Sequence, residues 1–177
     1  MRNVALPLLI SLLAATANAE WLYINKIDDF TDENIRAAVW QDDDHRIQLS
    51  RQEPTPEGHR NIWIFINRKA PGTISPTGLV EYRIDKLDTR EVDIKHLEWL
   101  EKTIKRERVS WQPDTIAFFV QGDWEDAKCT NIEPFLTGNT LRIRYRTDKM
   151  DTAAFAVPLE GQREKLIEIL ELEHCGL

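Results

Sequence analysis

Six residues near the C-terminal end of the chain alternate strictly between apolar and cationic side chains, and this pattern constrains the fold more than any other. They read Leu141-Arg142-Ile143-Arg144-Tyr145-Arg146. Successive side chains of a β-strand point to opposite faces of the sheet, so the segment predicts a strand with one buried and one exposed face. The guanidinium groups of Arg142, Arg144 and Arg146 then share the exposed face.

Several further segments of the chain also have the pattern of β-strands. Residues 79–85 alternate in the same way, whereas residues 61–68 form a continuous apolar run that is typical of a central strand buried on both faces. Further strands are predicted at residues 35–41, 46–52, 115–121 and 152–159, the first two joined by a turn at residues 42–45.

Three segments have helical patterns instead. Residues 93–108 repeat apolar side chains at helical spacing, with Asp93 placed to cap the first turn. Residues 125–136 predict a short helix that Pro134 limits, and residues 162–174 predict an amphipathic helix. With no repeat and no Gly/Ser linker, the sequence predicts one domain over residues 20–177. Its fold class is α+β: a mainly antiparallel, strand-rich domain with two or three amphipathic helices packed on the sheet.

The longest apolar run lies at the N-terminus. Arg2 precedes an apolar stretch over residues 4–15, and Ala17-Asn18-Ala19 matches the small-x-small pattern of a cleavage site. A membrane-spanning helix needs about 20 apolar residues, which is more than this run offers. The pattern therefore predicts a signal peptide over residues 1–19, removed before Glu20. The mature protein is then periplasmic or secreted and has no membrane span.

The predicted export determines what we expect of the two cysteines, Cys129 and Cys175. In an oxidising compartment an even pair indicates a disulfide, and closing a loop of this length stabilises a fold by about 4 kcal/mol in the chain-entropy model. The alternatives are a catalytic thiol or a metal ligand, but neither cysteine has the close Cys/His spacing of a zinc site. We therefore expect a structural disulfide that ties the last helix to the rest of the domain.

The charge balance and the missing motifs exclude several classes of function. The chain has 23 basic and 30 acidic side chains and a net charge of -7, which argues against nucleic-acid binding. It contains no nucleophile elbow, zinc-protease motif, phosphate-binding glycine loop or dinucleotide fingerprint, so no cofactor, metal or catalytic residue is assigned. The Asp42–Asp44 triplet is interpreted as a solvated hairpin tip rather than a cation site. A hydrolase whose site is assembled from distant acidic residues stays open as an alternative.

The arginine row is the candidate ligand-binding site. Fixed cations on one face of a strand repel one another unless anionic groups lie close enough to neutralise them. We favour neutralisation by acidic side chains of the protein itself, because Glu81 and Asp85 share one face of a predicted strand that can lie beside the arginine row. The alternative is an external anion, such as a phosphorylated glycan, a lipid headgroup or an acidic protein loop, bound by Arg142, Arg144 and Arg146.

Six tryptophans are present in this short chain. Trp63 and Trp111 lie in apolar sequence and are expected in the core. The other four lie beside polar or charged residues and are expected to be partly exposed, in the way that aromatic side chains at interfaces are. They are Trp21, Trp40, Trp99 and Trp124.

Several segments of the chain resemble one family. These are the exported start with Trp21, the Ile62-Trp63-Ile64 strand, the Leu141-Arg142-Ile143-Arg144 run, residues 152–161 and Cys175-Gly176. In them the chain resembles the periplasmic VasI/TagO-like family associated with type VI secretion and, more distantly, the invasion-associated locus B family. The resemblance implies an envelope accessory or binding protein that acts through contacts with an envelope or secretion-system protein, and it supplies no catalytic residues. A binder or inhibitor of an anionic glycan or lipid is the alternative.

Overall fold

Two antiparallel sheets face each other in the computed structural model, which describes residues 19–27, 29, 34–51, 61–75, 79–93, 114–122 and 129–175. The first sheet has five strands in the spatial order β1-β2-β3-β4-β7, and the second has four in the order β6-β5-β8-β9. The strands of the first sheet are β1 (Glu20–Ile27), β2 (Asn34–Gln41), β3 (His45–Arg51), β4 (Asn61–Arg68) and β7 (Thr115–Gly122). Those of the second are β5 (Leu79–Ile84), β6 (Arg90–Asp93), β8 (Thr140–Arg146) and β9 (Thr152–Pro158).

Aromatic side chains join the two sheets at two places. Trp40 on β2 stacks on Phe155 on β9, with ring centroids 6.1 Å apart. Tyr82 on β5 stacks on Phe118 on β7 at 5.5 Å. The inward side chains of both sheets form one hydrophobic core, and such burial is the main stabilising term for a domain of this size.

Two short helices lie beside the sheets in the described part of the chain. Helix α1 spans Glu133–Thr137, and helix α2 spans Arg163–Leu170 and ends at Glu171, whose φ of 52° is left-handed. Leu166, Ile169 and Leu170 of α2 are buried. A 3-10 turn at Glu173–Cys175 then brings Cys175 to Cys129, where the two form a disulfide with Cα atoms 5.6 Å apart. The predicted disulfide is confirmed.

The strand predictions are confirmed with small changes at their ends, and β4 is indeed a central strand that is buried on both faces. The expectation of a mainly antiparallel, strand-rich domain is also confirmed. The α+β class with two or three helices is not, because the described residues form two packed sheets and only two short helices. Strands β1 and β6 were not predicted.

The helix predictions were the least accurate. The C-terminal helix is shorter than residues 162–174, because the chain turns left-handed at Glu171. Helix α1 occupies only the end of the predicted segment 125–136, of which residues 125–128 lie outside the described residues. Asp93 ends strand β6 opposite Leu79, and the rest of the predicted helix 93–108 lies outside the described residues.

Two tryptophans expected to be partly exposed are buried. Trp21 is 8% exposed and Trp40 is 2% exposed, because they lie directly opposite each other on β1 and β2 and face the second sheet. Trp63 lies in the core, as predicted. Trp99, Trp111 and Trp124 lie outside the described residues.

No helix in the described part of the chain is long and apolar enough to cross a membrane.

Candidate functional site

The three arginines lie on the solvent-exposed face of the second sheet. Strand β8 runs between β5 and β9, and its apolar side chains are buried while Arg142, Arg144 and Arg146 are exposed. The predicted alternation of buried and exposed side chains is therefore confirmed. What each arginine faces depends on the register of the neighbouring strands.

Arg144 is neutralised from within the protein. It lies directly opposite Glu81 on β5, and its guanidinium donates two hydrogen bonds to that carboxylate, from Nε to Oε2 and from Nη2 to Oε1. The hydrogen bond from Arg144 lowers the pKa of Glu81 below its usual value. The predicted neutralisation by an acidic side chain of the protein itself is therefore confirmed for Arg144 and Glu81.

Asp85 does not form an ion pair with Arg142, Arg144 or Arg146, so this part of the prediction was wrong. Strand β5 ends at Ile84, and Asp85 adopts a left-handed conformation with a φ of 49°. Its carboxylate accepts hydrogen bonds of 2.9 Å from the backbone N–H groups of Asn139 and Thr140. Asp85 thus closes the turn that leads into β8 instead of pairing with an arginine.

Arg142 faces a second cation. The register of β5 and β8 places Arg142 directly opposite Arg83, and both side chains are exposed. Among the residues that the structure describes, no carboxylate forms an ion pair with either of them. Like charges directly opposite each other destabilise a sheet, so this pair has an electrostatic cost that nothing in the described structure offsets. Sequence alternation placed Arg83 on the polar face of its strand, but its partner depends on a register that local sequence does not contain.

A groove of about 550 Å³ runs over this face of the sheet. Its charged side chains are Arg83, Arg142 and Arg144, together with Glu81, which pairs with Arg144. Its floor beside them contains the small side chains of Ala154 and Ala156. In the register of β8 and β9, Arg142 lies opposite Ala156 and Arg144 lies opposite Ala154. Arg146 lies opposite Thr152 and does not line the groove, so the structure brings together only two of the three predicted arginines and adds Arg83.

A separate polar cluster lies inside the sandwich around His45. The imidazole is buried and stacks on Phe155 with ring centroids 4.0 Å apart. Its Nδ1 lies 3.4 Å from Asp42 Oδ1 and has no hydrogen-bond partner among the residues that the structure describes. Burial lowers the pKa of His45 more than the nearby carboxylates of Asp42 and Asp44 raise it. His45 is therefore held neutral, and we assign it a structural role.

The Asp42–Asp44 triplet forms the tip of the hairpin between β2 and β3. Asp42 Oδ1 accepts hydrogen bonds from the backbone N–H groups of Asp44, at 2.8 Å, and of His45, at 2.6 Å. This local bonding supports the interpretation as a turn. Within the described ranges, no group of three or more His, Cys, Asp or Glu side chains is placed to hold a metal ion.

Comparisons of the chain with protein-family models, with curated proteins and with solved structures give no match.

Proposed function

We propose that the protein is an exported accessory protein of the cell envelope that binds an anionic partner through the outer face of its second sheet. The observation that carries this proposal is the pair of opposed, exposed cations Arg83 and Arg142. Their mutual repulsion is relieved when a bound anion lies between them. The groove beside them gives such a partner a defined place to bind.

Two further features support export and an envelope role. The N-terminal segment has the pattern of a signal peptide, and the Cys129–Cys175 disulfide is of the kind that persists in oxidising compartments. The resemblance to the VasI/TagO-like family extends the proposal to an envelope or secretion-system protein as the partner. An anionic glycan or a lipid headgroup is the competing ligand class, because both present the same charge.

The proposal is tested by comparing two double variants with the wild type. The first, Arg83→Gln/Arg142→Gln, removes the opposed cations. The matched control, Lys26→Gln/Lys149→Gln, removes the same charge from two exposed positions outside the groove. Each protein, purified from its own host, is immobilised and exposed to envelope extract at increasing salt concentration.

We expect the wild type and the lysine control to retain the same envelope proteins, released by salt because exposed charge contacts are screened. The arginine variant should retain about a hundredfold less, the effect of losing two charge-assisted hydrogen bonds. Equal retention by all three proteins would contradict the proposal. Vesicles containing phosphatidylglycerol and a polygalacturonate polymer serve as parallel probes. Arginine-dependent binding to either of these, without retention of proteins, would move the ligand to the lipid or glycan class.

A further inference from the structure

The last strand of the second sheet, β9, has one open edge. The order β6-β5-β8-β9 leaves β9 at the end of the sheet, and no other strand in the described part of the chain pairs with it. The segment reads Thr-Ala-Ala-Phe-Ala-Val-Pro and contains no charged residue. Exposed edges without charges are able to pair with another extended chain, and natural sheets commonly block them with lysine, proline or a bulge. Here the only such residue is Pro158, at the end of the strand.

The hydrogen bonds at both ends of the β8–β9 hairpin show which backbone groups point outward. The N–H of Thr147 donates to the carbonyl of Asp151, and the N–H of Leu159 donates to the carbonyl of Asn139. Hydrogen-bonded pairs recur at every second position of an antiparallel ladder. The pairs bonded to β8 are therefore Tyr145–Ala153, Ile143–Phe155 and Leu141–Val157.

The residues between these pairs direct their backbone N–H and carbonyl groups to the open edge. They are Thr152, Ala154 and Ala156, and the side chains of all three are exposed. The next backbone carbonyl that points to the same edge is that of Pro158, and it accepts a hydrogen bond from the indole of Trp21. The open stretch thus runs from Thr152 to Ala156 and ends where Trp21 covers the strand.

The open edge and the cationic groove meet at the two alanines. Ala156 lies opposite Arg142, and both line the groove. A strand added beside β9 lies two strand spacings from β8, which is about 10 Å. Because alanine has only a methyl group, the Arg142 side chain has a clear path over β9 towards the added strand. Glutamate has the longest acidic side chain, so a glutamate on the added strand reaches furthest back towards Arg142.

We propose that β9 binds an extended peptide segment by strand addition, and that the segment carries glutamates at alternate positions, one of which faces Arg142 across Ala156. The backbone groups of Thr152, Ala154 and Ala156 provide the pairing, and Arg142 selects the charge. The inference rests on the proposed function, since it names an acidic, extended protein segment as the anionic partner.

The test uses a fluorescent octapeptide of alternating Glu and Thr with blocked ends, and binding is followed by anisotropy. Ala156→Pro removes an N–H that points to the open edge and leaves the β8–β9 ladder intact, whereas Ala156→Ser is the matched control that keeps the N–H. Arg142→Gln removes the charge contact. A peptide with Lys in place of Glu reports charge selectivity, and one with Asp in place of Glu reports reach.

We expect the Glu peptide to bind the wild type and Ala156→Ser equally, and to bind Ala156→Pro and Arg142→Gln each about tenfold more weakly. The Asp peptide should bind more weakly than the Glu peptide, and the Lys peptide should not bind. The inference is overturned if Ala156→Pro binds like the wild type or if the Lys peptide binds as well as the Glu peptide.

Peptides with N-methyl groups on alternate residues give the same information without altering the protein. Methylation of the residues that pair with β9 should abolish binding, and methylation of the others should not. If neither pattern affects binding, strand addition is wrong. If extract proteins still depend on Arg83 and Arg142 in that case, the proposed function stands while this inference fails.

Discussion

The indole Nε1 of Trp21 donates a 2.6 Å hydrogen bond to the carbonyl oxygen of Pro158, which lies 137 residues later in the chain. Trp21 belongs to the first strand of one sheet and Pro158 to the last strand of the other. This single contact therefore fastens two edge strands together across the sandwich. It also satisfies the only polar atom of a side chain that is otherwise buried.

We expect Trp21→Phe to destabilise the fold more than Trp40→Phe does, by about 1 kcal/mol, the net value of one buried hydrogen bond. The two tryptophans lie opposite each other, but Trp40 Nε1 has no hydrogen-bond partner among the described residues, so its loss removes ring volume only. Urea unfolding of both variants measures the difference. Equal destabilisation would mean that the bond to Pro158 contributes nothing.

A pH dependence of stability follows from the burial of His45. Its pKa is lowered below the ordinary value of 6.5, so the folded state binds the proton less readily than the unfolded chain does. Stability from this group is complete above pH 6.5 and is lost as the pH falls below it. The thermal midpoint of the wild type should therefore fall more steeply between pH 7 and pH 5 than that of His45→Phe, which keeps the stacking on Phe155. Parallel pH profiles would contradict this assignment.

Glycine is required at two positions for different physical reasons. A Cβ on Gly138 would collide with Ile84 Cγ2 and lie 2.8 Å from the carbonyl oxygen of Pro134, although the φ of Gly138 is ordinary. Gly161 has a φ of 76°, and no atom of the described part of the chain lies within 4 Å of such a Cβ. We expect Gly138→Ala to cost about 2 kcal/mol through overpacking and Gly161→Ala to cost about 1 kcal/mol through backbone strain.

Asparagine separates these two causes, because it tolerates the left-handed conformation. Gly161→Asn should recover part of the stability that Gly161→Ala loses, whereas Gly138→Asn should be no better than Gly138→Ala. Thermal unfolding of the four variants gives the answer. If Gly138→Asn were more stable than Gly138→Ala, a steric clash would not be the cause of the destabilisation at position 138.

Removal of the disulfide should destabilise the protein by about 4 kcal/mol, because the bond closes a loop over a sequence separation of 46. Cys129→Ala/Cys175→Ala and the reduced wild type should unfold at similar, lower urea concentrations than the oxidised wild type. The slope of the transition should also change, since the unfolded chain is less compact without the bond. An oxidised and a reduced protein with the same midpoint would refute the expectation.

Local patterns in the sequence predicted strands better than they predicted neighbours. The alternation from Leu141 to Arg146 depends only on adjacent residues, and it correctly assigned these six side chains of β8 to a face. The partner of Arg142 depends on where β5 begins and how the turn at Asp85 ends it, so the facing Arg83 was not foreseen.

Tryptophan burial was mispredicted for a related reason. Trp21 and Trp40 have polar sequence neighbours, but in a strand those neighbours point to the opposite face. What buries the two indoles is their mutual pairing and strand β9 of the second sheet, which follows more than a hundred residues later in the chain. Core membership in a sandwich is thus a property of the paired strands.

The bond between Cys129 and Cys175 also determines how the protein transmits mechanical force. When the two ends of the chain are pulled, tension enters the covalent ring at one cysteine and leaves at the other, so the segment between them carries none of the load. A fully stretched molecule is then shorter by about 160 Å than its reduced form, at roughly 3.5 Å per residue. Strands β8 and β9 lie inside that ring, whereas β5, which carries Arg83, lies outside it. Under tension the oxidised protein would therefore lose Arg83 from the groove while the β8–β9 hairpin stays out of the line of force.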